Sequence, residues 1–75
     1  MKIELTGIAA DIYGDRFIEI SGASNVSGLK SEIIKKIPEL IRYSYLVIVN
    51  NETVSEDMTL SDTDNVVIIN PFSGG

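Results

Sequence analysis

The chain has no cysteine, histidine or tryptophan among its 75 residues. Without cysteine there is no disulfide, no thiol nucleophile and no zinc–thiolate site, and nothing demands an oxidising compartment. Without histidine the usual general base, the Ser-His-Asp arrangement and the commonest metal ligand are all missing. Long apolar runs are absent as well. No stretch approaches the roughly 18–20 residues of a membrane span, and Met1-Lys2-Ile3-Glu4-Leu5 lacks the apolar centre of a signal peptide. The expected setting is the cytoplasm, where Asn25-Val26-Ser27 and Asn51-Glu52-Thr53 have no access to glycosylation.

Positive charge is missing from one part of the chain. All six Lys and Arg precede Asn50 and are balanced there by acids; Glu52, Glu56, Asp57, Asp62 and Asp64 follow unopposed and carry the net charge of −5. This argues against nucleic acid, which needs clustered Lys and Arg, and against an anionic membrane. It permits docking of Glu56, Asp57, Asp62 and Asp64 on a basic protein surface, with plain solubilising loops as the alternative. Asp62-Thr63-Asp64-Asn65 opens like a calcium loop but lacks that motif's glycine and terminal glutamate, so no metal site is expected.

What remains is enough for one domain, with a thin core, because a chain this short buries only about 60% of its unfolded surface. Ile3 and Leu5 alternate with Lys2, Glu4 and Thr6, which predicts a half-buried strand. Gly7 to Gly14 reads as a turn or a short irregular loop. Strand character resumes over Arg16 to Ser21, with Ile18 and Ile20 inward. From Val26 the period becomes helical: Val26, Leu29, Ile33, Ile37, Leu40 and Ile41 share one side, and the preceding break Gly22-Ala23-Ser24-Asn25 ends in good N-caps. Pro38 stops or kinks this helix near Lys36–Ile37, and the phase of Leu40 and Ile41 predicts one further short turn. Tyr45 to Val49 is a strand, Asn50-Asn51-Glu52 a tight turn, and Thr53-Val54 a short pairing strand. The acidic loops follow, with Met58 and Leu60 tacked onto the core.

Val66-Val67-Ile68-Ile69 has the composition of a fully buried strand. It runs into Asn70-Pro71, a single aromatic at Phe72, then Ser73, Gly74 and Gly75. A diglycine brings no side chain to packing and much backbone freedom. A chain that anchors its last strand and then ends on a slender carboxylate is presenting that carboxylate. The expected division is a single domain over residues 1–70 and a projecting tail over 71–75. Phe72 is either an interface anchor or a cap folded onto the sheet edge.

One helix must cover one face of one sheet. The last strand, apolar on both faces, belongs in the middle beside the first strand, and a helical crossover makes those two parallel. The expected fold class is α+β: a β-grasp (ubiquitin-like) domain, with a mixed sheet of four to five strands on one main helix.

These features resemble the ubiquitin-like sulfur carriers of the MoaD/ThiS superfamily, and within it most the small subunit of molybdopterin synthase. Val49-Asn50 resembles the family's Val-Asn, and Leu60-Ser61-Asp62-Thr63-Asp64-Asn65-Val66 its Leu-x-Asp-Gly-Asp-x-Val turn. Asn70-Pro71-Phe72-Ser73-Gly74-Gly75 is similar to its Pro-Pro-hydrophobic-x-Gly-Gly ending, and Asn25-Val26-Ser27-Gly28-Leu29 to its helix start. Thr63 stands where the family has a turn glycine, and Asn70 where it has a first proline, which suggests a less rigid exit.

The resemblance implies a cycle. An ATP-dependent, E1-like adenylating enzyme of the MoeB/ThiF type activates the Gly75 carboxylate, a sulfur source displaces AMP, and the thiocarboxylate donates sulfur. In molybdenum cofactor biosynthesis the acceptor is a pterin precursor, held with a large subunit of the MoaE type. The chain itself would bind no cofactor; ATP is used by the partner. Nothing in the chain can turn a carboxylate into an acyl electrophile, so catalysis is borrowed. Pro71, Phe72, Ser73 and Gly74 are the expected partner-binding tail and Gly75 the carrier. The alternatives are a thiamin-thiazole sulfur carrier, a ubiquitin-like modifier joined through Gly75 to lysine amines, and an interaction module with no tail chemistry. The thiazole carriers are expected to have less between their first two strands than Gly7 to Asp15.

Overall fold

The computed structural model describes residues 1–70. In chain order these form β1 Lys2–Leu5, α1 Gly7–Tyr13, β2 Phe17–Glu19, α2 Val26–Lys36, a 3₁₀ helix Pro38–Arg42, β3 Leu46–Val49, β4 Glu52–Thr53 and β5 Val66–Ile69. The strands make one five-stranded sheet in the order β2-β1-β5-β3-β4. Its central pair, β1 and β5, is parallel, with Ile3 opposite Val66 and Leu5 opposite Ile68. The other pairings are antiparallel. This is the expected β-grasp, with α2 packed across one face.

Period-2 alternation sets that face. Ile3, Leu5, Ile18, Ile20, Val47, Val49, Val66 and Ile68 are buried and meet Val26, Leu29, Ile33, Ile37 and Leu40 from the helical side. Asn25 caps α2 by accepting the Gly28 N–H at 2.8 Å. This explains a glycine that costs about 1 kcal/mol of helix propensity. A Cβ at position 28 would lie only 3.2 Å from the capping Oδ1.

Five expectations need correction. Gly7 to Gly14 is a helix rather than a turn or loop. Gly14, at φ 88°, ends it in the left-handed conformation and bonds Ala10 O at 2.8 Å, while Ala9 is buried. Ile41 is 73% exposed rather than part of the core stripe. Ile37, at φ −129° and ψ 72°, breaks the α phase, and the 3₁₀ turn advances the chain three residues per turn, so Leu40 stays inside and Ile41 swings out. β5 is not buried on both faces: Val66 and Ile68 are buried, Val67 and Ile69 only half-buried. A central position satisfies a strand's backbone, but α2 covers only one side of the sheet. The second and third strands are shorter than expected, and the hairpin closes one residue earlier. Asn50 and Asn51, at φ 53° and 69°, are the two loop residues, and Glu52 pairs with Val49.

Candidate functional site at the end of the last strand

β5 enters the sheet at Val66 and leaves at Ile69, and its neighbours hold it to the end. Leu5 of β1 is opposite Ile68, and Leu46 of β3 is opposite Ile69. The Ile68 carbonyl accepts twice from Thr6, from its N–H at 3.2 Å and its hydroxyl at 2.8 Å. Asn70 comes next and is buried, at 8% exposure. Its Oδ1 accepts the Ala9 N–H of α1 at 3.1 Å, and its Nδ2 donates to the Ser44 carbonyl, just before β3, at 2.9 Å. The strand that leads to Gly75 therefore ends at a point tied to three other parts of the fold. The substitution of asparagine for the family's proline replaces a stiff ring with a cross-linking amide. Pro71, Phe72, Ser73, Gly74 and Gly75 lie outside the described residues, and so does the question of whether Phe72 anchors or caps.

The acidic candidates occupy two local networks. Asp64 latches the turn before β5: its Oδ2 accepts the Ser61 N–H at 2.8 Å and its Oδ1 the Asn50 amide at 3.1 Å. Asn50 is also bonded to Asn65 through both its N–H and its Oδ1. The Ser61 backbone bond and then the Asn50 amide hold the Asp64 carboxyl below its ordinary range. Thr63 takes no positive φ and its hydroxyl lies 2.9 Å from that of Ser61, so this turn has no need of the family's glycine. Asp62 is exposed beside it. This turn sits at the opposite end of β5 from the exit, roughly 17 Å from Asn65 to Asn70 at the usual rise per residue. Glu56 and Asp57 lie on the loop against the start of α2, where Glu56 O accepts the Ser27 N–H. The Glu56 carboxylate pairs with Lys30 at 3.0 Å, and Asp57 accepts the Ser55 hydroxyl at 2.7 Å. Lys30 also lies 6.0 Å from the Tyr45 ring, whose phenol is pushed up by burial and drawn back by that ammonium.

The uncovered face of the sheet was not singled out from the sequence. Leu46 and Ile69 form one cross-strand pair on it, and Ile48 and Val67 the next. Glu4 stands beside Val67, and Phe17 beside Glu4. Leu46 and Phe17 are 41% and 39% exposed. Lys2 sits 4.4 Å over the Phe17 ring and Arg16 5.6 Å from it, with Arg16 also 3.8 Å from Glu4. The result is an apolar strip with a charged margin, and its Leu46–Ile69 end is the end from which the tail leaves. The available signal was a strand apolar on both faces in a chain with one long helix.

No group of three or more acidic side chains is placed to hold a metal ion among the described residues, and no helix there is long and apolar enough to cross a membrane. A shallow open depression of about 350 Å³ lies beside the end of α1, lined by Ala10, Asp11, Gly14, Asp15 and Arg16.

With this geometry in place, a sequence profile of the ThiS family matches residues 3–75, nearly the whole chain. The chain belongs to the ThiS family. It is of the ubiquitin-like sulfur-carrier type. No curated protein matches it. Among solved structures, this ThiS-family chain is similar to SAMP1 from Haloferax volcanii, at 20% identity and a TM-score of 0.75, over 100% of this chain and 98% of that one. It is similar to a putative molybdopterin converting factor, subunit 1, from Pyrococcus furiosus, at 23% identity and 0.79, over 93% and 94%. A chain of the Amycolatopsis orientalis BexX/CysO complex is similar at 18% identity and 0.75, over 99% and 98%. At these identities the likeness concerns the fold.

Proposed function

We propose that this chain is a sulfur carrier whose working atom is the carboxyl carbon of Gly75, and that it serves as the small subunit of molybdopterin synthase. The observation that carries the reading is the anchored exit: the strand feeding the diglycine is central, and its last residues are bonded to β1, α1 and the segment before β3. An E1-like adenylating enzyme of the MoeB/ThiF type joins the Gly75 carboxylate to the α-phosphate of ATP and releases pyrophosphate. Hydrosulfide delivered from a sulfur source then attacks the acyl carbon and expels AMP, leaving a thiocarboxylate. That group donates its sulfur to a pterin precursor bound to a large subunit of the MoaE type. Gly74 and Gly75 make the tail narrow enough to enter both active sites, and Pro71 biases Asn70 toward extended backbone. The chain contributes no catalytic group of its own, and the cytoplasm is where the cycle runs.

Partner docking falls to the uncovered face. Gly75 lies five residues beyond Asn70, a reach of at most about 18 Å. An enzyme that holds the Gly75 carboxyl must therefore come close to the end of β5, where Leu46, Ile69 and Val67 already offer apolar surface. The length of α1 between β1 and β2 supports the molybdopterin branch over the thiazole branch. The likeness to SAMP1, named a small archaeal modifier protein, favours a second reading, in which Gly75 is joined to lysine amines.

Intact-mass spectrometry separates the two, on chain recovered from its own cells or incubated with the activating enzyme, ATP and a sulfur source. One sulfur-for-oxygen exchange is expected of the carrier, and a ladder of larger conjugates of the modifier. No mass change, together with unaltered function after removal of Gly75, would sink both.

A further inference from the structure

We propose that Asn70 is a positioning residue for the tail: its side-chain amide fixes where residues 71–75 begin and so where the Gly75 carboxyl can be delivered. The inference rests on the reading of Gly75 as the activated group, but its geometric part can be tested without it.

The starting point is an exchange of caps. Thr6 precedes α1 with the extended backbone of an N-cap, yet its side chain makes no capping bond. Its hydroxyl goes to the Ile68 carbonyl instead. The third N–H of the helix, that of Ala9, is the one an N-cap side chain usually takes. Asn70 takes it, from 61 residues away in sequence. The first turn of α1 and the end of β5 thus satisfy each other: Thr6 serves the strand, and Asn70 serves the helix.

The second bond gives the clamp its direction. Nδ2 of Asn70 donates to Ser44 O on the other side of β5. Only one orientation of the amide works, because a flipped group would set an NH₂ against the Ala9 N–H and an oxygen against the Ser44 carbonyl. Among the standard residues of this size, aspartate offers only acceptors when ionised, and leucine offers neither partner anything. A buried amide with an acceptor on one side and a donor on the other is built for a bridge. It spans from α1 to the lead-in of β3, across the point where the tail starts.

This matters for transfer because docking and delivery are then separate tasks. The uncovered face determines how tightly a partner binds. Asn70 determines the point and direction from which the next five residues set out. Misplacement of a reacting atom by about 1 Å can cost up to 100-fold in rate.

The test uses Asn70→Ala and Asn70→Asp, studied at a temperature where circular dichroism shows each fully folded. Pyrophosphate release with the MoeB/ThiF-type enzyme from the same cells and ATP is followed as the carrier concentration is varied. The expected result is a fall in kcat of about tenfold, equivalent to ~1.4 kcal/mol, in both variants, with KM for the carrier within about twofold of wild type. A folded variant with wild-type kcat, or a change confined to KM, overturns the proposal. A second arm labels cysteines introduced at Glu52 and Ser73, which are unique in a chain without native cysteine. Pulsed electron spin resonance should give a broader distance distribution with Asn70→Ala than with Asn70 intact. An equal breadth overturns the clamp. If the wild-type chain is not activated at all, the carrier reading falls, and the distance distributions still decide whether Asn70 positions the tail.

Discussion

Replacing Leu46 and Phe17 together by alanine should loosen the activating enzyme's grip without disturbing delivery of the tail. The magnitude follows from how much of each side chain the fold leaves uncovered. Leu46 is 41% exposed and Phe17 39%. Full burial of a leucine or phenylalanine is worth about 1.5–3 kcal/mol, so covering the remaining two-fifths is worth roughly 0.6–1.2 kcal/mol for each. The two stand three strand spacings apart in the order β2-β1-β5-β3, roughly 14 Å, far enough to add. The double variant should therefore bind about 8- to 60-fold more weakly. The covered three-fifths is lost from the fold as well, roughly 1–2 kcal/mol for each residue. A urea midpoint must accordingly be measured beside the affinity, and binding compared where both chains are folded. Isothermal titration of the enzyme with carrier gives the affinity, and kcat for pyrophosphate release should stay near wild type. Glu56→Lys with Asp57→Lys serves as the contrasting variant, with affinity expected to change by less than about threefold, since exposed charges contribute little. A folded Leu46/Phe17 variant that binds as tightly as wild type, while the charge reversal weakens binding, would refute the reasoning and return docking to the acidic loops.

Two further outcomes concern the fold that holds the site. Asp64 is kept below its ordinary range by hydrogen bonds to its charged form. Its contribution is therefore fully present above the usual carboxylate range and is lost as pH falls through that range and below it. The stability gap between wild type and Asp64→Ala, read as urea midpoints, should shrink between pH 7 and pH 3, and a gap independent of pH would count against the latch. Leu40→Ala should cost about 2–5 kcal/mol as a core truncation, while Ile41→Ser should fall within about 0.5 kcal/mol of wild type; comparable losses at both positions would show that the helical phase continues through Pro38.

Much of the fold was legible because local chemistry and global topology agree. The alternation of Ile3 and Leu5, the stripe from Val26 to Leu40, the stop at Pro38 and the Asn50-Asn51 turn each follow from one short-range rule. α1 was missed because glycines at both ends mark a break equally well for a loop and for a helix. The pairing of Ile8 with Ile12 at helical spacing and the terminal Gly14 were the available signals. Ile41 was misplaced because phase was carried across a proline. The site divides in the same way. The diglycine and its family signature could be read directly, but Asn70 read as a loosened exit, since nothing near it in sequence suggests Ala9 or Ser44 as partners.

The sequence by itself pointed to the family, and so to the class of chemistry proposed for the chain. A chain without cysteine or histidine supplies no thiol or imidazole, and Gly74-Gly75 after an apolar strand is the stretch on which the proposed carrier chemistry rests. The parallel pairing of the last strand beside the first was also expected from the sequence, and the sheet shows it. Tertiary structure alone decided what holds the end of β5. Pairing β5 between β1 and β3 carries Asn70 to α1 and to Ser44, and α2 covers one face of the sheet while Leu46, Ile48, Val67 and Ile69 lie on the other. The reason is one of range. Periodicity, turn chemistry and composition act between neighbours in sequence, whereas a side-chain amide 61 residues from its donor becomes a clamp only when the sheet has brought the two together.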